Sequence, residues 1–222
     1  AFRSQNYKHF QCYFIDDMST DNSYSTAKLA IAGDERFTLI KNTNKYYALE
    51  NIVRAIEKAD CSDEDVILLL DGDDWLSSPR TLSTLISYYQ EESCMLTYGS
   101  YVYNPGGTRG IEPSRYPAEV VNSNSYRDDM WRASHLRSFT YYLWKNLNHE
   151  DLKDKEGNYY KMAYDQAIML PLLEMAGERS RYIEETMYVY NKANPLNVDK
   201  IKAQQQFDTA QEIRKKKRYK RI

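Results

Sequence analysis

Cysteine, long apolar runs and net charge are all scarce in this sequence, and each shortage narrows what the protein is. Only three cysteines occur in 222 residues. Cys12, Cys61 and Cys94 stand far apart with no C-x-x-C pair, which argues against a disulfide framework or a cysteine zinc site. Two of them lie inside apolar runs and read as reduced core thiols. No run reaches the ~18 apolar residues that span a bilayer, and no secretory signal peptide is visible, although the sequence opens mid-pattern. Charge nearly cancels, with 30 Lys and Arg against 32 Asp and Glu for a net −2. That balance supplies no global attraction to nucleic acid or to an anionic membrane. The expected location is cytoplasmic.

What is present is the composition of an ordinary globular protein, 42% apolar and 28% charged, long enough for one substantial domain. No internal repeat and no clear linker interrupts it. The one charge asymmetry is the C-terminal "EIRKKKRYKR", whose basic run covers Arg214 to Arg221. It reads either as a solvated helix end or loose tail, or as an electrostatic contact with anionic lipid or an acidic partner. Peripheral membrane association through this end therefore stays open.

Along the chain, "QCYFI" ends at Asp16 and Asp17 and runs into "MSTDNS", which predicts a strand, an acidic turn and a helix from about Ser19 or Thr20. "RFTLIKN" is a second short strand. In "KYYALENIVRAIEKA", Leu49, Ile52, Val53, Ile56 and Ala59 recur at three-and-four spacing, the mark of an amphipathic helix. "DVILLL" is apolar without alternation, as expected of a parallel strand covered on both faces. A helix follows from about Arg80. Strand, helix, strand, helix, strand, helix predicts a βαβ unit and a doubly wound α/β sheet, in which ligands bind beyond the carboxyl ends of the strands.

The second half is less regular. "CMLTYGSYVYN" predicts a strand leading into the loop "PGGTRGIEPSRYP". A helix spans about 163 to 176, kinked or restarted at Pro171. "RYIEETMYVYN" reads as a late strand, and the polar tail from about 195 as helical.

"LLLDGDDW" places Asp71, Asp73 and Asp74 directly after an apolar strand. Carboxylates one residue apart at a strand end suit a hard divalent cation such as Mg²⁺ or Mn²⁺, which leaves open positions for phosphate. A calcium-binding EF-hand fails on spacing, because Leu76 and Leu82 stand where glycine and glutamate are required. Plain helix capping by these acids remains as the bland alternative.

Taken together, "YFIDDMSTDNS", "NTNKYYALENIVRAI" and "VILLLDGDDWLSSPRTL" resemble, in order and spacing, the nucleotide-binding half of family-2 glycosyltransferases, which have the GT-A fold. The matching positions are Asp16, Asp17, Ser19, Thr20 and Asp21, then Asn42, Asn44, Ala48 and Asn51, then Asp71 to Asp74 and Pro79. More loosely, "MAYDQAIMLPLLEMAG" resembles the acidic pair that opens the helix beneath the acceptor, with Asp165 at the aspartate position and Tyr164 where glutamate is usual. The resemblance covers about residues 1 to 190.

It implies a Rossmann-like, mostly parallel sheet flanked by helices in one GT-A domain. Residues 1–103 would form the nucleotide-sugar half, 104–194 the acceptor side and 195–222 a basic tail. Because this family begins with a further strand, more chain is expected upstream of residue 1.

The implied activity is metal-dependent, inverting transfer of a sugar from a nucleotide donor, a UDP-sugar, to a glycan, lipid or protein hydroxyl. Asp17 would contact uracil and Asp16 would shape that pocket. Asp71 would lie near ribose and metal, and Asp73 or Asp74 would be the main ligand of Mn²⁺ or Mg²⁺. Asp165 would be the base, with helix-surface acid as its ordinary reading. Lys45 or Arg137 could pair with phosphate, and His135 with diphosphate or metal, though a lone histidine is more often structural. Among Trp75, Trp131 and Trp144, sugar stacking competes with core packing.

Two other functions share the motif. A haloacid-dehalogenase-like phosphohydrolase also uses D-x-D, but carries Thr or Val where Trp75 stands and puts the motif on its first strand. A non-catalytic binding module on the same fold is kept open by Tyr164.

Overall fold

The structure, a computed structural model, describes residues 2–194 and 203–222. The chain packs as two compact units, one of Tyr7–Cys61 and the other of the residues up to Asn6 with Ser62–Ile222. The boundary between the two units falls between Cys61 and Ser62.

The smaller unit holds β1 (Cys12–Asp16), α1 (Ser23–Ile31), β2 (Phe37–Lys41) and α2 (Tyr47–Lys58). β1 and β2 pair in parallel from Cys12 with Phe37 to Asp16 with Lys41. Parallel neighbours need a crossover, which α1 provides. α1 starts at Ser23, later than predicted, where Asp21 Oδ1 accepts the Ser23 N–H at 2.9 Å. In α2 the apolar spacing does what it predicts, burying Leu49, Val53 and Ile56 on one face.

The larger unit follows with β3 (Val66–Leu69), β4 (Trp75–Leu76), α3 (Thr81–Glu91), β5 (Leu96–Asn104), α4 (Ala118–Ser123), β6 (Arg137–Thr140), α5 (Tyr141–Lys145), α6 (Tyr164–Ala176), β7 (Ser180–Asn191) and a C-terminal helix, Ala203–Arg214. Its sheet runs β3-β6-β5-β7-β4. β5 and β7 are parallel, β6 is antiparallel to both β3 and β5, and β4 is antiparallel to β7. The α/β class holds, and the sheet is mixed. β3, predicted inside a parallel sheet, pairs here with an antiparallel strand, and its residues are only half-buried. An apolar run reports that a strand is covered, not the direction of its partner, and "RSFT" in β6 is too short and polar to announce itself as a strand.

The core of this unit forms around β5, buried from Leu96 to Ser100 and at Tyr101, and α6, buried from Ala167 to Ala176. α6 is apolar on all sides, as a helix enclosed by its own protein must be. Pro171 neither restarts nor ends it, although it removes one backbone donor. Trp144 is buried and stacks on Phe139 at 5.8 Å. All three cysteines are free thiols, and burial pushes Cys12 up to about 11 and Cys94 to about 12.

A charged pair sits in that core. Glu174, fully buried, takes both Arg127 Nε at 2.6 Å and Arg127 Nη2 at 3.0 Å. Its Oε2 also accepts the Tyr219 N–H at 3.0 Å, and Arg127 Nη1 donates to the Ile213 carbonyl at 2.7 Å. Arg214 reaches Gln166 and the carbonyls of Arg127 and Asp129, and Lys216 reaches the carbonyl of Lys153. The basic C-terminal run is therefore stitched to the domain and is not a loose tail. Lys215, Lys217 and Lys220 remain exposed. The predicted helix from about 195 lies partly outside the described residues. Among those described, no helix is long and apolar enough to cross a membrane.

Removing one partner of a buried pair strands the other charge, so Arg127→Met is expected to lower unfolding free energy by about 3–5 kcal/mol. Lys145→Ala, at the exposed Lys145–Asp63 pair, is expected to leave the urea midpoint almost unchanged. Urea denaturation of both variants checks the contrast.

Candidate active site

The acidic turn of the smaller unit is built around Asp17. Its Oδ1 accepts Asn42 Nδ2 at 2.9 Å and the Tyr46 N–H at 2.9 Å, and its Oδ2 accepts the Tyr47 N–H at 2.9 Å. Asn42 Nδ2 also reaches Asn51 Oδ1 at 2.8 Å. Tyr47 adopts φ of 62°, a left-handed conformation that costs a non-glycine residue free energy and is held by such contacts. Burial alone would raise the Asp17 carboxyl, but the N–H groups of Tyr46 and Tyr47 and the amides of Asn42 and Asn51 outweigh it and hold it below the usual range. Asp16 is buried, and its Oδ2 has no hydrogen-bond partner among the described residues. Lys45 is exposed, its Nζ 6.0 Å from the Tyr47 ring centroid.

In the larger unit, β3 delivers the second acidic turn. Asp74 faces inward: its Oδ1 accepts the Asn191 N–H at 2.7 Å and its Oδ2 accepts the Tyr188 hydroxyl. Burial lifts its carboxyl to about 6 against these two donors, with Asp73 and Asp71 adding repulsion. Asp73 is exposed and accepts Asn194 Nδ2 at 2.6 Å. Asp71 accepts the Tyr164 hydroxyl at 2.6 Å on Oδ1 and stands 3.4 Å from the Tyr188 hydroxyl on Oδ2.

β6 carries the cation that joins this turn to α6. Because Leu69 is paired with Arg137, the arginine lies beside the strand end that leads into Asp71. The Arg137 side chain is 3% exposed, with Nη2 3.7 Å from Asp71 Oδ2 and Nη1 3.5 Å from Asp165 Oδ2. Burial works against its charge, and the surrounding oxygens of Tyr164, Asp165 and Asp71 more than restore it. Arg137 Nη2 is also 3.0 Å from His135 Nδ1. Burial and the adjacent guanidinium push His135 well below its ordinary value, so the imidazole is neutral, and with Arg137 donating, Nδ1 is the unprotonated nitrogen. His135 therefore forms no ion pair with Asp71 across their 4.0 Å gap, and it stacks on Tyr188 at 4.3 Å.

Asp165 sits in the first turn of α6, after Ala163, whose φ of 49° turns the chain sharply into the helix. Pointing an acid at a helix N-terminus is itself favourable. Asp71 and Asp165 thus share the Arg137 guanidinium, while Asp73 and Asp74 continue the acidic turn beside Asp71.

Among the described residues, no group of three or more His, Cys, Asp or Glu side chains is arranged to hold a metal by itself. The donor set fits a shared ion instead. Asp71 and Asp74 already spend oxygens on Tyr164, Tyr188 and Asn191, whereas Asp73 is the exposed acid of the three. Mg²⁺ is often held by one or two carboxylates together with substrate phosphates.

Of the residues singled out by sequence, Asp71, Asp73, Asp74, His135, Arg137 and Asp165 thus converge in the larger unit, and Asp16, Asp17 and Lys45 belong to the smaller. Arg137, a candidate for phosphate, is engaged with Asp71, Asp165 and His135. Sequence reasoning missed Tyr188, Asn191 and Asn194, and it treated Tyr164 only as a departure. The apolar alternation of β7 hides the first two, because a tyrosine that fills a core and one that donates to a carboxylate look alike in sequence.

Comparison with known proteins completes the description. The family model described as "Glycosyl transferase family 2" matches residues 1–152. No curated protein sequence matches the chain. Among solved structures, S. aureus TarS is similar at TM-score 0.64 and 16% identity over 86% of this chain and 33% of that one. TarS 1-349 in complex with UDP-GlcNAc is similar at TM-score 0.62 and 14% identity, over 86% of this chain and 52% of the other. TarS 1-349 in complex with UDP gives 0.61 and 13% over 96% and 58%. The chain thus spans between a third and three fifths of these relatives, and at such identity the likeness shows the fold.

The depressed Asp17 carboxyl yields a pH prediction. A lowered native pKa contributes stability that is present above the unfolded value near ~3.9 and disappears as pH falls through the native value. Asp17→Asn is expected to be less stable than the parent at pH 7 and to converge with it under acid. Unfolding curves between pH 7 and pH 2 read the difference, and a gap that persists at low pH would contradict it.

Proposed function

The chain belongs to glycosyl transferase family 2, and from that premise we propose that it transfers a sugar from a UDP-sugar to an acceptor hydroxyl with inversion, using Mn²⁺ or Mg²⁺. The observation that carries the reading is the ion network in which Arg137 bridges Asp71, at the end of β3, and Asp165, at the start of α6. It brings the acidic turn and the candidate base into one site. The complexes of TarS with UDP and UDP-GlcNAc support UDP as the nucleotide. A phosphohydrolase is disfavoured by the family match.

In this reading Asp165 takes the proton from an acceptor hydroxyl while that oxygen bonds to the anomeric carbon and the bond to the diphosphate breaks on the opposite face. The electron pair leaves with UDP, and the configuration inverts. General-base help of this kind contributes roughly 10²–10⁴-fold. Asp73 is the carboxylate assigned to the cation, whose chemistry when bound is to neutralise the charge gathering on the leaving diphosphate. Asp71 and Asp74 shape the turn around it, held by Tyr164, Tyr188 and Asn191. Arg137 and His135 lie on the phosphate side. By resemblance, Asp17 and Asp16 are assigned to uracil and Lys45 to phosphate. The acceptor is a glycan, lipid or protein, and the exposed lysines of the C-terminus leave a peripheral membrane contact as part of the proposal.

UDP release from a panel of UDP-sugars with Mn²⁺ tests the reading, and the same activity is expected to vanish with excess EDTA and return on adding Mn²⁺. Release of phosphate from simple monoesters, with none of UDP, would favour the phosphohydrolase. Asp73→Ala is expected to abolish metal-dependent turnover. For Asp165→Asn the expectation is unchanged UDP affinity by calorimetry with transfer reduced at least ~10²-fold.

A further inference from the structure

Tyr164 occupies the position where related sequences usually have glutamate, and its hydroxyl has a definite partner. It donates to Asp71 Oδ1 at 2.6 Å, one residue before Asp165 on the same first turn of α6. Burial and the nearby Asp71 carboxylate keep the phenol protonated far above neutral pH, so it remains a donor. Its ring also lies 5.7 Å from the Arg137 guanidinium.

The consequence follows from competition for one cation. Arg137 is shared almost evenly, at 3.7 Å from Asp71 and 3.5 Å from Asp165, and its buried Nε has no hydrogen-bond partner among the described residues. Besides the two carboxylates, its one short polar contact among the described residues is His135 Nδ1, 3.0 Å from Nη2. An Asp71 deprived of its phenol donor would lean more on Arg137, the cation it shares with Asp165, because a carboxylate that loses a donor gains more from the charge beside it. Asp165 would then lose the contact that fixes its carboxylate. A glutamate at 164 would face Asp71 with like charge and donate nothing.

We propose that Tyr164 is a positioning residue: by satisfying Asp71 it leaves Arg137 free to orient Asp165 for proton abstraction. This rests on the transferase reading above. Tyr164 touches neither sugar nor phosphate in this role. It links the acidic turn of β3 to the first turn of α6, so the acid that takes the proton is aimed from the same element that carries the acidic turn.

Steady-state kinetics on the full chain, with the UDP-sugar that the unaltered protein turns over, test it. Tyr164→Phe keeps the ring and loses only the donor; its kcat is expected to fall at least tenfold while the donor KM and the calorimetric affinity for UDP with Mn²⁺ change less than twofold. Tyr164→Glu is expected to fall at least as far. A double-mutant cycle of Tyr164→Phe with Asp71→Ala is expected to be non-additive both in kcat and in the urea midpoint, since one hydrogen bond is removed by either change. Unchanged kcat in Tyr164→Phe, full activity in Tyr164→Glu, or a kcat loss matched by an equal loss of UDP affinity would each overturn the positioning role alone. A parent chain that binds UDP but releases none from any donor would instead overturn the transferase reading.

Discussion

The structure depends on one buried charge. Arg137 is almost completely enclosed, and an enclosed guanidinium is tolerable only where carboxylates and acceptors surround it. Asp71, Asp165 and His135 Nδ1 meet that demand from three separate stretches of chain. Satisfying it forces β6 to lie against β3 in the register that sets Leu69 opposite Arg137, and α6 to begin where its first turn reaches the same point. The left-handed Ala163 is the local strain this arrangement carries.

Tyrosine does much of the polar work around that charge. Tyr164 and Tyr188 donate to Asp71 and Asp74, and farther along the same unit Tyr160 donates to Glu212 and Tyr219 to Asp151. A phenol satisfies a carboxylate without cancelling its charge. Lysine or arginine in those places would have neutralised the acidic turn. The high tyrosine count thus has a chemical use beyond filling the core. The C-terminal run shows the converse economy, since Arg127, Arg214 and Lys216 spend their charges on Glu174 and on backbone carbonyls inside one unit.

Much of this was legible in advance. α2 shows in the spacing of Leu49, Val53 and Ile56, β1 and β3 in apolar runs ending at acids, and the two acidic turns in the motifs themselves. Asp165 came from the same pattern of motifs, and the structure brings it to Asp71 through Arg137. The mixed sheet was not legible, because β6 is four residues of ordinary polarity and β4 only two. Nor was the division between Asp73 and Asp74: adjacent acids carry identical chemistry until the fold turns one toward Tyr188 and Asn191 and the other toward solvent.

The sequence by itself determined the α/β class, the succession of strands and helices from β1 to β3, and which acids end those strands, since each is a local consequence of periodicity and residue type. Only the tertiary structure decided which strand lies beside which, that Arg137 is spent on two carboxylates, and that Tyr164 donates to Asp71. Those are contacts between residues 93 positions apart in the Tyr164 case, and a hydrogen bond over that separation leaves no periodic trace in the chain.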